Sequence, residues 1–451
     1  MSALFRRTVL RLHRLATGRH ILDRMEELNR TQWLRRDELL PLQRDKLQRL
    51  IEYAYQHIPY YRRTFDQAGF HPEDLRRDMA RFRNLPVLTK AIIRENFQEL
   101  QTTEPQRRMQ LSKVTTSGST GHPLVFMQDN NCRDCVTADI QRHLGWAGWK
   151  MGKLHAYIWG AHFEATTGKS LRRQLIDWVW NRFLTNAYRL TDASLAVFTE
   201  HIRRRHPCVL FGYPSSLYRL AQFVRESPHR GIIFDGIISS AEVLLPVVRQ
   251  SIEETFRCKV FDRYAAMELG GVACECPSHT GLHVSVENNF VEILCDGRPV
   301  EPGETGSITI TNLNNWGMPF IRYSIGDEGA WHDGGDCPCG RAAPMLMRIE
   351  GRVVDRFKTR DGSTSWAGFA GAGYRCLADP SIRQFQIIQK SLDRMVVRLV
   401  KDGEISQSSL DELVRTIHTA FGDTVTVDFE FPDEIPVPPS GKHRYAISEL
   451  K

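Results

Sequence analysis

The chain has 451 residues, of which 41% are apolar, so it can bury a large core and form two or three domains. Its formal net charge is +7, and basic and acidic residues are interspersed over most of its length. Without a zinc-finger or RRM pattern, this distribution argues against nucleic acid as a partner. Ten cysteines are too few for a disulfide scaffold, and we expect most of them to be reduced.

Residues 1–20 depart from this balance, because they contain arginines and no acid. Their apolar residues could share one helical face: Leu4, Phe5, Val9, Leu12 and Leu15. The pattern is typical of a peripheral membrane helix or a transit peptide, and equally of a helix packed on its own fold with a solvated basic face. No run of about 18 apolar residues exists for a transmembrane span, and we expect a cytoplasmic protein.

Residues 21–110 have helical spacing, and Thr89 is a candidate helix cap. The next stretch, Thr115 to Gly121, reads Thr-Thr-Ser-Gly-Ser-Thr-Gly. Its glycines allow backbone N–H groups to approach an anion and its hydroxyls add donors, which favours a triphosphate. A Ser/Thr/Gly-rich linker is the alternative, and the lysine of the P-loop NTPases is missing.

Short apolar strands alternate with helices over residues 155–262, which predicts a parallel sheet covered on both faces. Ligands bind such sheets at the carboxyl ends of strands, where Tyr213, Ser240 and Tyr264 are expected. Between 283 and 332 the apolar period becomes two, which indicates antiparallel sheet or a small barrel. Residues 356–451 have the strands and the helix of a smaller unit.

Four motifs follow the Ser/Thr/Gly stretch in order: Tyr264-Ala-Ala-Met-Glu268, Arg322-Tyr-Ser-Ile-Gly-Asp327, Gly351-Arg352-Val-Val-Asp355 and Pro439-Ser-Gly-Lys442. The set resembles the adenylate-forming superfamily, most closely its phenylacetate-CoA ligase branch with the relatives assigned to capsular polysaccharide biosynthesis. The resemblance implies an α/β fold, with a large N-terminal adenylate-forming domain of parallel sheets plus a small β-barrel-like region and a smaller mobile C-terminal α+β domain. The predicted divisions are a helical segment over 1–110, a core over 111–351 and a small domain over 352–451.

The resemblance also implies how ATP would be bound. The β- and γ-phosphates would bind Thr116, Ser117, Gly118, Ser119, Thr120 and Gly121. Adenine would stack on Tyr264 and be lined by Ser240, Ala241 and Glu242. The ribose hydroxyls would bind Asp327 and Arg352.

Two residues would act directly in catalysis. Glu268 would coordinate Mg²⁺, and Lys442 would bridge the substrate carboxylate and the α-phosphate. The structural alternatives are a helix-surface role for Glu268, a turn for Asp327, an ion pair for Arg352 and a solvated Lys442.

The chain departs from the family pattern at two positions. Leu124 stands where many relatives carry a lysine near the phosphate loop. Val354 stands at the expected hinge aspartate, with Asp355 next to it, which puts the domain rotation and the thioester step in doubt.

A second constellation pairs the segment Cys274 to His283 with Cys337-Pro-Cys339. Tetrahedral Zn²⁺ takes thiolate and imidazole ligands, and short Cys/His clusters from separate loops build structural sites. By resemblance to members of this branch, we favour Cys276, His283, Cys337 and Cys339 as ligands. His279 or Cys274 could replace one of them, and reduced cysteines in neighbouring turns are the alternative to a metal site.

The resemblance therefore predicts an ATP-dependent carboxylate ligase that forms an acyl-AMP and passes the acyl group to coenzyme A. The alternatives are transfer to an amine or hydroxyl of a cell-surface sugar, and a catalytically silent nucleotide-binding relative. An aromatic segment, Tyr157 to Phe163, resembles the loop that faces the acyl group in relatives, although core packing explains it equally well. The sequence does not identify the small carboxylic acid. It does not fix the oligomeric state either, and a dimer is one of the states that it allows.

Overall fold

The computed structural model describes residues 3–116, 123–160, 171–187, 190–227, 231–352, 357–360, 364–365, 372–373, 376, 379, 381–436 and 445–450. The predicted helical start is confirmed, with a 3-10 helix at Met79–Asn84 between the fifth and sixth helices. Thr89 is the expected cap, since its hydroxyl accepts a hydrogen bond from the Ile92 N–H at 3.3 Å. The helices are α1 Ala3–Thr17, α2 Ile21–Thr31, α3 Arg36–His57, α4 Pro59–Gln67, α5 Pro72–Arg77, α6 Lys90–Glu95 and α7 Pro105–Arg108.

Helix α1 buries a basic residue and leaves most of its apolar side chains exposed, which is the reverse of the usual arrangement in a surface helix. Its buried residues are Arg6 and Leu10, whereas Leu4, Phe5, Leu12 and Leu15 are exposed. The helix therefore packs on its own fold and has a solvated basic face, as one interpretation of the sequence predicts, but it also leaves apolar side chains in solvent. The apolar side chains themselves face outward, because the buried Arg6 guanidinium bonds backbone carbonyls of another helix.

A short antiparallel hairpin of β1 Ser112–Thr115 and β2 Val125–Gln128 follows, and it leads into helix α8 Asn130–Trp146. Cys132 and Cys135 are buried on α8, as expected for core thiols. The Asp129 carboxylate caps α8 by accepting a hydrogen bond from the Cys132 N–H at 2.8 Å.

A 12-stranded mixed sheet forms the body of the molecule, in the order β11-β10-β12-β13-β14-β9-β8-β7-β6-β5-β3-β4. Its strands are β3 His155–Trp159, β4 Arg182–Asn186, β5 Val209–Gly212, β6 Gly236–Ser240, β7 Val260–Ala266, β8 Gly270–Glu275, β9 Leu282–Val284, β10 Asn289–Cys295, β11 Arg298–Pro299, β12 Thr305–Asn312, β13 Tyr323–Trp331 and β14 Met345–Arg352. The helices between its parallel strands are α9 Leu171–Trp180, α10 Asp192–Arg205, α11 Pro214–Glu226 and α12 Pro246–Phe256.

The parallel and antiparallel parts of the prediction belong to this one sheet. Strand β7 pairs parallel with β6 on one edge and antiparallel with β8 on the other. The turn between β7 and β8 is only Met267 to Leu269, so the chain continues the sheet directly. The α/β class is confirmed, and the region expected to be barrel-like is the antiparallel half of the continuous sheet.

The described residues of the C-terminal part form a four-stranded sheet in the order β19-β18-β17-β20, together with the helix Gln407–Phe421. Its apolar side chains, such as Phe385 and Leu413, share a hydrophobic cluster with Leu245 and Val248 at the start of α12. The division of the chain at 110 and 351 stays a prediction. The remaining elements are β15 Phe357–Lys358, β16 Thr364–Ser365, β17 Ile382–Ser391, β18 Arg394–Lys401, α13 Gln407–Phe421, β19 Thr426–Glu430 and β20 Ala446–Ser448.

Candidate active site and metal centre

The carboxyl ends of the parallel strands meet along one edge of the large sheet. Gly212 at the end of β5 is paired with Ile158 of β3 on one side and with Ser239 of β6 on the other. Ser240 ends β6, as expected, whereas Tyr264 lies inside β7 rather than after it. The edge is the position at which open α/β sheets bind ligands.

The loop after β6 is fixed at both ends by hydrogen bonds. The Ser240 hydroxyl donates to the Arg263 carbonyl at 2.8 Å, and the Glu242 carboxylate accepts from the Ser215 N–H at 3.0 Å. Between them Ala241 has a φ of 75°, a left-handed conformation that is uncommon for a residue with a Cβ. These contacts tie the start of the loop to β7 and its end to the N-terminus of α11.

Tyr264 and Asp327 come together although 62 residues separate them along the chain. The Tyr264 hydroxyl donates to Asp327 Oδ2 at 2.7 Å. Asp327 on β13 is in turn the register partner of Arg352 on β14. The structure thus brings three of the predicted nucleotide residues to one region of the sheet.

Glu268 lies in the short turn between β7 and β8 and is 7% exposed. Its Oε1 accepts a hydrogen bond from the Tyr323 hydroxyl at 3.1 Å. The neighbouring Met267 carbonyl accepts from Gln128 Nε2 at 3.1 Å, which ties this turn to strand β2. A buried carboxylate beside the hairpin that carries the Ser/Thr/Gly stretch is a suitable oxygen ligand for Mg²⁺.

The start of the Ser/Thr/Gly stretch closes the hairpin. The Thr116 N–H donates to the Leu124 carbonyl at 2.9 Å, and the Leu124 N–H donates to Thr116 Oγ1 at 2.9 Å. These two hydrogen bonds extend the pairing of β1 and β2 to Thr116 and Leu124. Several predicted residues lie outside the described part of the chain: Ser117, Gly118, Ser119, Thr120, Gly121, Val354, Asp355 and Lys442.

The predicted aromatic wall divides into two parts. Tyr157 is buried in the core of the sheet, where it packs against His155 and Phe211. Trp159 lies at the carboxyl end of β3, with its ring centroid 4.3 Å from that of Tyr213. The Tyr213 hydroxyl also accepts a hydrogen bond from the Gly160 N–H at 3.3 Å, so Trp159 and Tyr213 are the aromatic pair at the ligand edge.

Cys276, His283, Cys337 and Cys339 converge at a separate place, with one ligand atom from each within 4.8 Å of the others. The Cys276 and Cys337 sulfurs are 3.5 Å apart, and Cys339 Sγ is 3.3 Å from His283 Nε2. His283 Nδ1 lies 3.0 Å from the Ala343 carbonyl, which favours the tautomer that leaves Nε2 free for a metal. The donor set and its spacing fit tetrahedral Zn²⁺.

The surroundings of the sulfurs favour the thiolate form at one of them. Burial raises the pKa of the Cys276 thiol to about 12. For Cys337, burial opposes ionisation, but hydrogen bonds from the Thr280 hydroxyl and the backbone of Cys339 lower its pKa to about 6. Backbone N–H groups also point at the sulfurs, as in the contact of the Arg341 N–H with Cys339 Sγ at 3.4 Å.

The two alternative ligands have other surroundings. His279 Nδ1 pairs with Glu275 Oε2 at 3.1 Å, and Cys274 is buried in the core. The converging group also lies away from Glu268, because Cys276 follows the far end of β8 from that residue. The six residues of β8 put its ends about 17 Å apart, so a metal here would brace the fold and not contact substrate.

Sequence reasoning missed the residues that orient this site. Tyr323 stands in one of the sequence motifs, but the motif assigned it no role. Gln128 belongs to no motif.

A buried ionic network joins α8 to the sheet, in which the Arg142 guanidinium bonds Asp139 and Glu287, each at 2.9 Å. The sequence of helix α8 contains many polar and charged residues, and nothing in it shows that the charged side chains are buried. The network could therefore not be predicted from the sequence.

Comparisons with known proteins agree with this geometry. The CapK C-terminal domain matches residues 374–449. Protein CapK of Staphylococcus aureus is 23% identical over 427 residues, with 92% of this chain and 90% of CapK covered. Phenylacetate-coenzyme A ligase of Escherichia coli strain K12 is 28% identical over 329 residues, with 71% of this chain and 72% of the ligase covered.

A crystal structure of 2-hydroxyisobutyryl-CoA ligase in the postadenylation state, in complex with R3-HIB-AMP, superimposes with a TM-score of 0.76 at 21% identity. It covers 94% of this chain and 92% of that ligase. The chain has the fold of the adenylate-forming CoA ligases. The resemblance drawn from the motifs is therefore confirmed.

Proposed function

We propose that the protein is an ATP-dependent carboxylate ligase that forms an acyl-AMP and then an acyl-CoA thioester. The observation that supports the proposal is that β13 contacts both acids' surroundings: its Asp327 accepts a hydrogen bond from Tyr264, and its Tyr323 donates to Glu268, whose turn is tied to strand β2 of the hairpin. The named activities of the phenylacetate-CoA ligases, and of the 2-hydroxyisobutyryl-CoA ligase that shares the fold, support the same class of reaction.

In this proposal the substrate carboxylate attacks the α-phosphorus of ATP, and the bond to pyrophosphate breaks. The protein's contribution is alignment and neutralisation of charge. The loop Thr116 to Gly121 binds the β- and γ-phosphates, and Lys442 bridges the carboxylate and the α-phosphate. Mg²⁺ held by Glu268 would neutralise phosphate charge.

The nucleoside is bound between the two halves of the sheet. The Tyr264 ring stacks on adenine while its hydroxyl orients the Asp327 carboxylate, which accepts hydrogen bonds from the ribose with help from Arg352. The left-handed Ala241 exposes backbone groups of the loop after β6 toward the base. Trp159 and Tyr213 form an apolar surface for the acyl group, which favours an aryl or other apolar acid.

A second function is favoured by one observation. CapK aligns over 92% of this chain, whereas the phenylacetate-CoA ligase of Escherichia coli aligns over 71%, and the C-terminal residues 374–449 match a CapK domain. The acyl group would then pass from AMP to an amine or hydroxyl in cell-surface polysaccharide biosynthesis. Zn²⁺ bound by Cys276, His283, Cys337 and Cys339 would brace the fold in either case.

The test is a screen of carboxylic acids for pyrophosphate release, with and without CoA. A thioester product supports the first function, and acid-dependent pyrophosphate release that CoA does not change supports the second. If no acid gives pyrophosphate release while ATP still binds, the remaining function is a silent nucleotide-binding protein.

A further inference from the structure

Helices α1 and α9 carry an apolar surface that the rest of the described chain does not cover. Leu4 and Leu15 on α1 are 72% and 83% exposed, and Leu175 and Trp178 on α9 are 56% and 45% exposed. The two helices join at Phe5, whose ring centroid lies 5.9 Å from that of Trp178. Isolated exposed apolar residues are ordinary, but a continuous group on adjoining helices marks an interaction site.

The opposite side of α1 explains why this face is turned outward. The Arg6 guanidinium is buried and donates to the carbonyls of Trp178 and Val179 at the end of α9. Leu10 packs in the same cluster as Trp180. Helix α1 is thus anchored to α9 by the hydrogen bonds of Arg6 and by the contact of Phe5 with Trp178, and its larger apolar side remains in solvent.

The charged residues next to this surface indicate the kind of partner that it binds. Arg7 and Arg11 are exposed, and α1 contains no acidic residue. Arg14 and Arg19 are already paired, with Asp23 and Asp134 respectively. A helix that combines exposed leucines, a neighbouring tryptophan and arginines that pair with no acid in the described part of the chain has the composition of one that lies in the headgroup region of an anionic membrane.

We propose that α1 and α9 together form a docking surface for an anionic phospholipid membrane. Among the described helices none is long and apolar enough to cross a bilayer, so the contact lies in the plane of the interface. Helix α1 is about 22 Å long, and its leucines would enter the boundary between headgroups and acyl chains. This inference is independent of the proposed ligase reaction.

The experiment is co-sedimentation of the full chain with vesicles of phosphatidylcholine alone or with about 30% phosphatidylglycerol. Binding to the anionic vesicles is expected, and it should weaken as salt is raised. The double variant Leu12→Ser, Leu15→Ser should bind about tenfold more weakly, because two exposed leucines no longer enter the lipid. Arg7→Gln and Arg11→Gln should each weaken binding about fivefold.

Matched controls come from exposed residues elsewhere. Val197→Ser and Ile233→Ser remove apolar side chains that are 60% and 61% exposed, and Arg44→Gln removes an exposed arginine. These variants should bind vesicles like the wild type. An unchanged melting temperature of the leucine variant shows that the fold survives, since the substituted side chains contact solvent.

Three results would overturn the proposal. The first is no binding to anionic vesicles, or equal binding to both kinds of vesicle. The second is unchanged binding by the leucine variant. The third is a dimer in sedimentation equilibrium that Leu12→Ser, Leu15→Ser converts to monomer, since a second copy of the chain would then be the occupant.

Discussion

Glu268 of the candidate nucleotide site and Cys276 of the Cys/His centre flank opposite ends of β8, and the two sites are built in different ways. At the nucleotide site, one acid on a strand and one in a turn each accept a hydrogen bond from a tyrosine, Asp327 from Tyr264 and Glu268 from Tyr323. At the Cys/His centre, the ligand atoms approach one another. The first arrangement is suited to an external ligand, and the second has the donor set and spacing that would enclose a small ion.

The difference predicts which part of the chain tolerates change. The ligands of an enclosed ion contribute to folding, so their loss should lower stability before it lowers activity. The tyrosines and acids of an open site contribute to binding of the ligand, and their loss should lower activity in a folded protein. The following substitutions test this difference between the two sites, beginning with the one that we expect to have the largest effect.

Lys442→Ala should have the largest effect. Loss of the cation that bridges the carboxylate and the α-phosphate should lower adenylate formation by about 10³-fold, because charge that develops at that point is no longer stabilised. ATP binding should change little, as measured by calorimetry. Lys150→Ala, which removes an exposed lysine, is the control. An unchanged rate of pyrophosphate release in Lys442→Ala would remove this residue from the mechanism.

Cys337→Ser should release the metal and destabilise the fold. We expect about one zinc per chain in the wild type by metal analysis and much less in the variant, with a melting temperature roughly 5–10 °C lower. Cys295→Ser removes an exposed cysteine outside the centre and should change neither value. A wild-type protein that is well folded and free of zinc would show that the four side chains are not a metal site.

Tyr264→Phe should have a smaller effect than either. The ring remains available to stack on adenine, but Asp327 loses the hydroxyl that donates to it at 2.7 Å. A lost hydrogen bond to a charged group is worth about 1.5 kcal/mol, so KM for ATP should rise about tenfold with little change in kcat. Steady-state kinetics of pyrophosphate release measure both constants.

Tyr323→Phe is the matched variant for the second acid. It should leave KM for ATP close to the wild-type value at saturating Mg²⁺ and raise the Mg²⁺ concentration needed for half-maximal rate. If both tyrosine variants change the same constant to the same extent, the separate roles given to Asp327 and Glu268 are wrong.

Much of the fold could be predicted because its signals are local. The strands that end at Trp159 and Ser240 are short apolar runs between helices. Thr89 caps the helix that directly follows it, because its hydroxyl accepts a hydrogen bond from the N–H three residues ahead. The Cys/His group was found from ligand type and spacing together with the resemblance. The continuity of the sheet could not be predicted, because no feature of the β7 sequence indicates that this strand pairs in parallel on one edge and antiparallel on the other.

The contacts that orient the site depend on residues far apart in sequence. Tyr157 and Trp159 alternate along one strand and look equivalent, yet only Trp159 is next to Tyr213, and that difference arises from where each lies along β3. Edge strand β4, with Arg182 and Asn186 at its ends, lacks the apolar pattern of a buried strand and was missed. The roles of the individual nucleotide residues stay predictions.

Asp262 offers the smallest test, and it lies between the two sites. It is on β7 two residues before Tyr264, and burial and the negative charge of Glu275 raise its pKa to about 7. Glu275 in turn directly precedes Cys276. Because the folded carboxyl takes up a proton more readily than the unfolded one, its contribution to stability falls as pH rises from about 4 to about 7.

Asp262→Asn should remove this pH dependence. Relative to the wild type, the variant should gain roughly 2.5 kcal/mol in the free energy of unfolding on going from pH 5 to pH 8, measured by urea denaturation. Zinc content and KM for ATP should not change, since Asp262 is expected to bind neither ligand. A variant that loses zinc or raises KM for ATP would show that the two ends of β8 are coupled through Asp262 and Glu275, and the contrast between an open and an enclosed site would then have to include the strand that joins them.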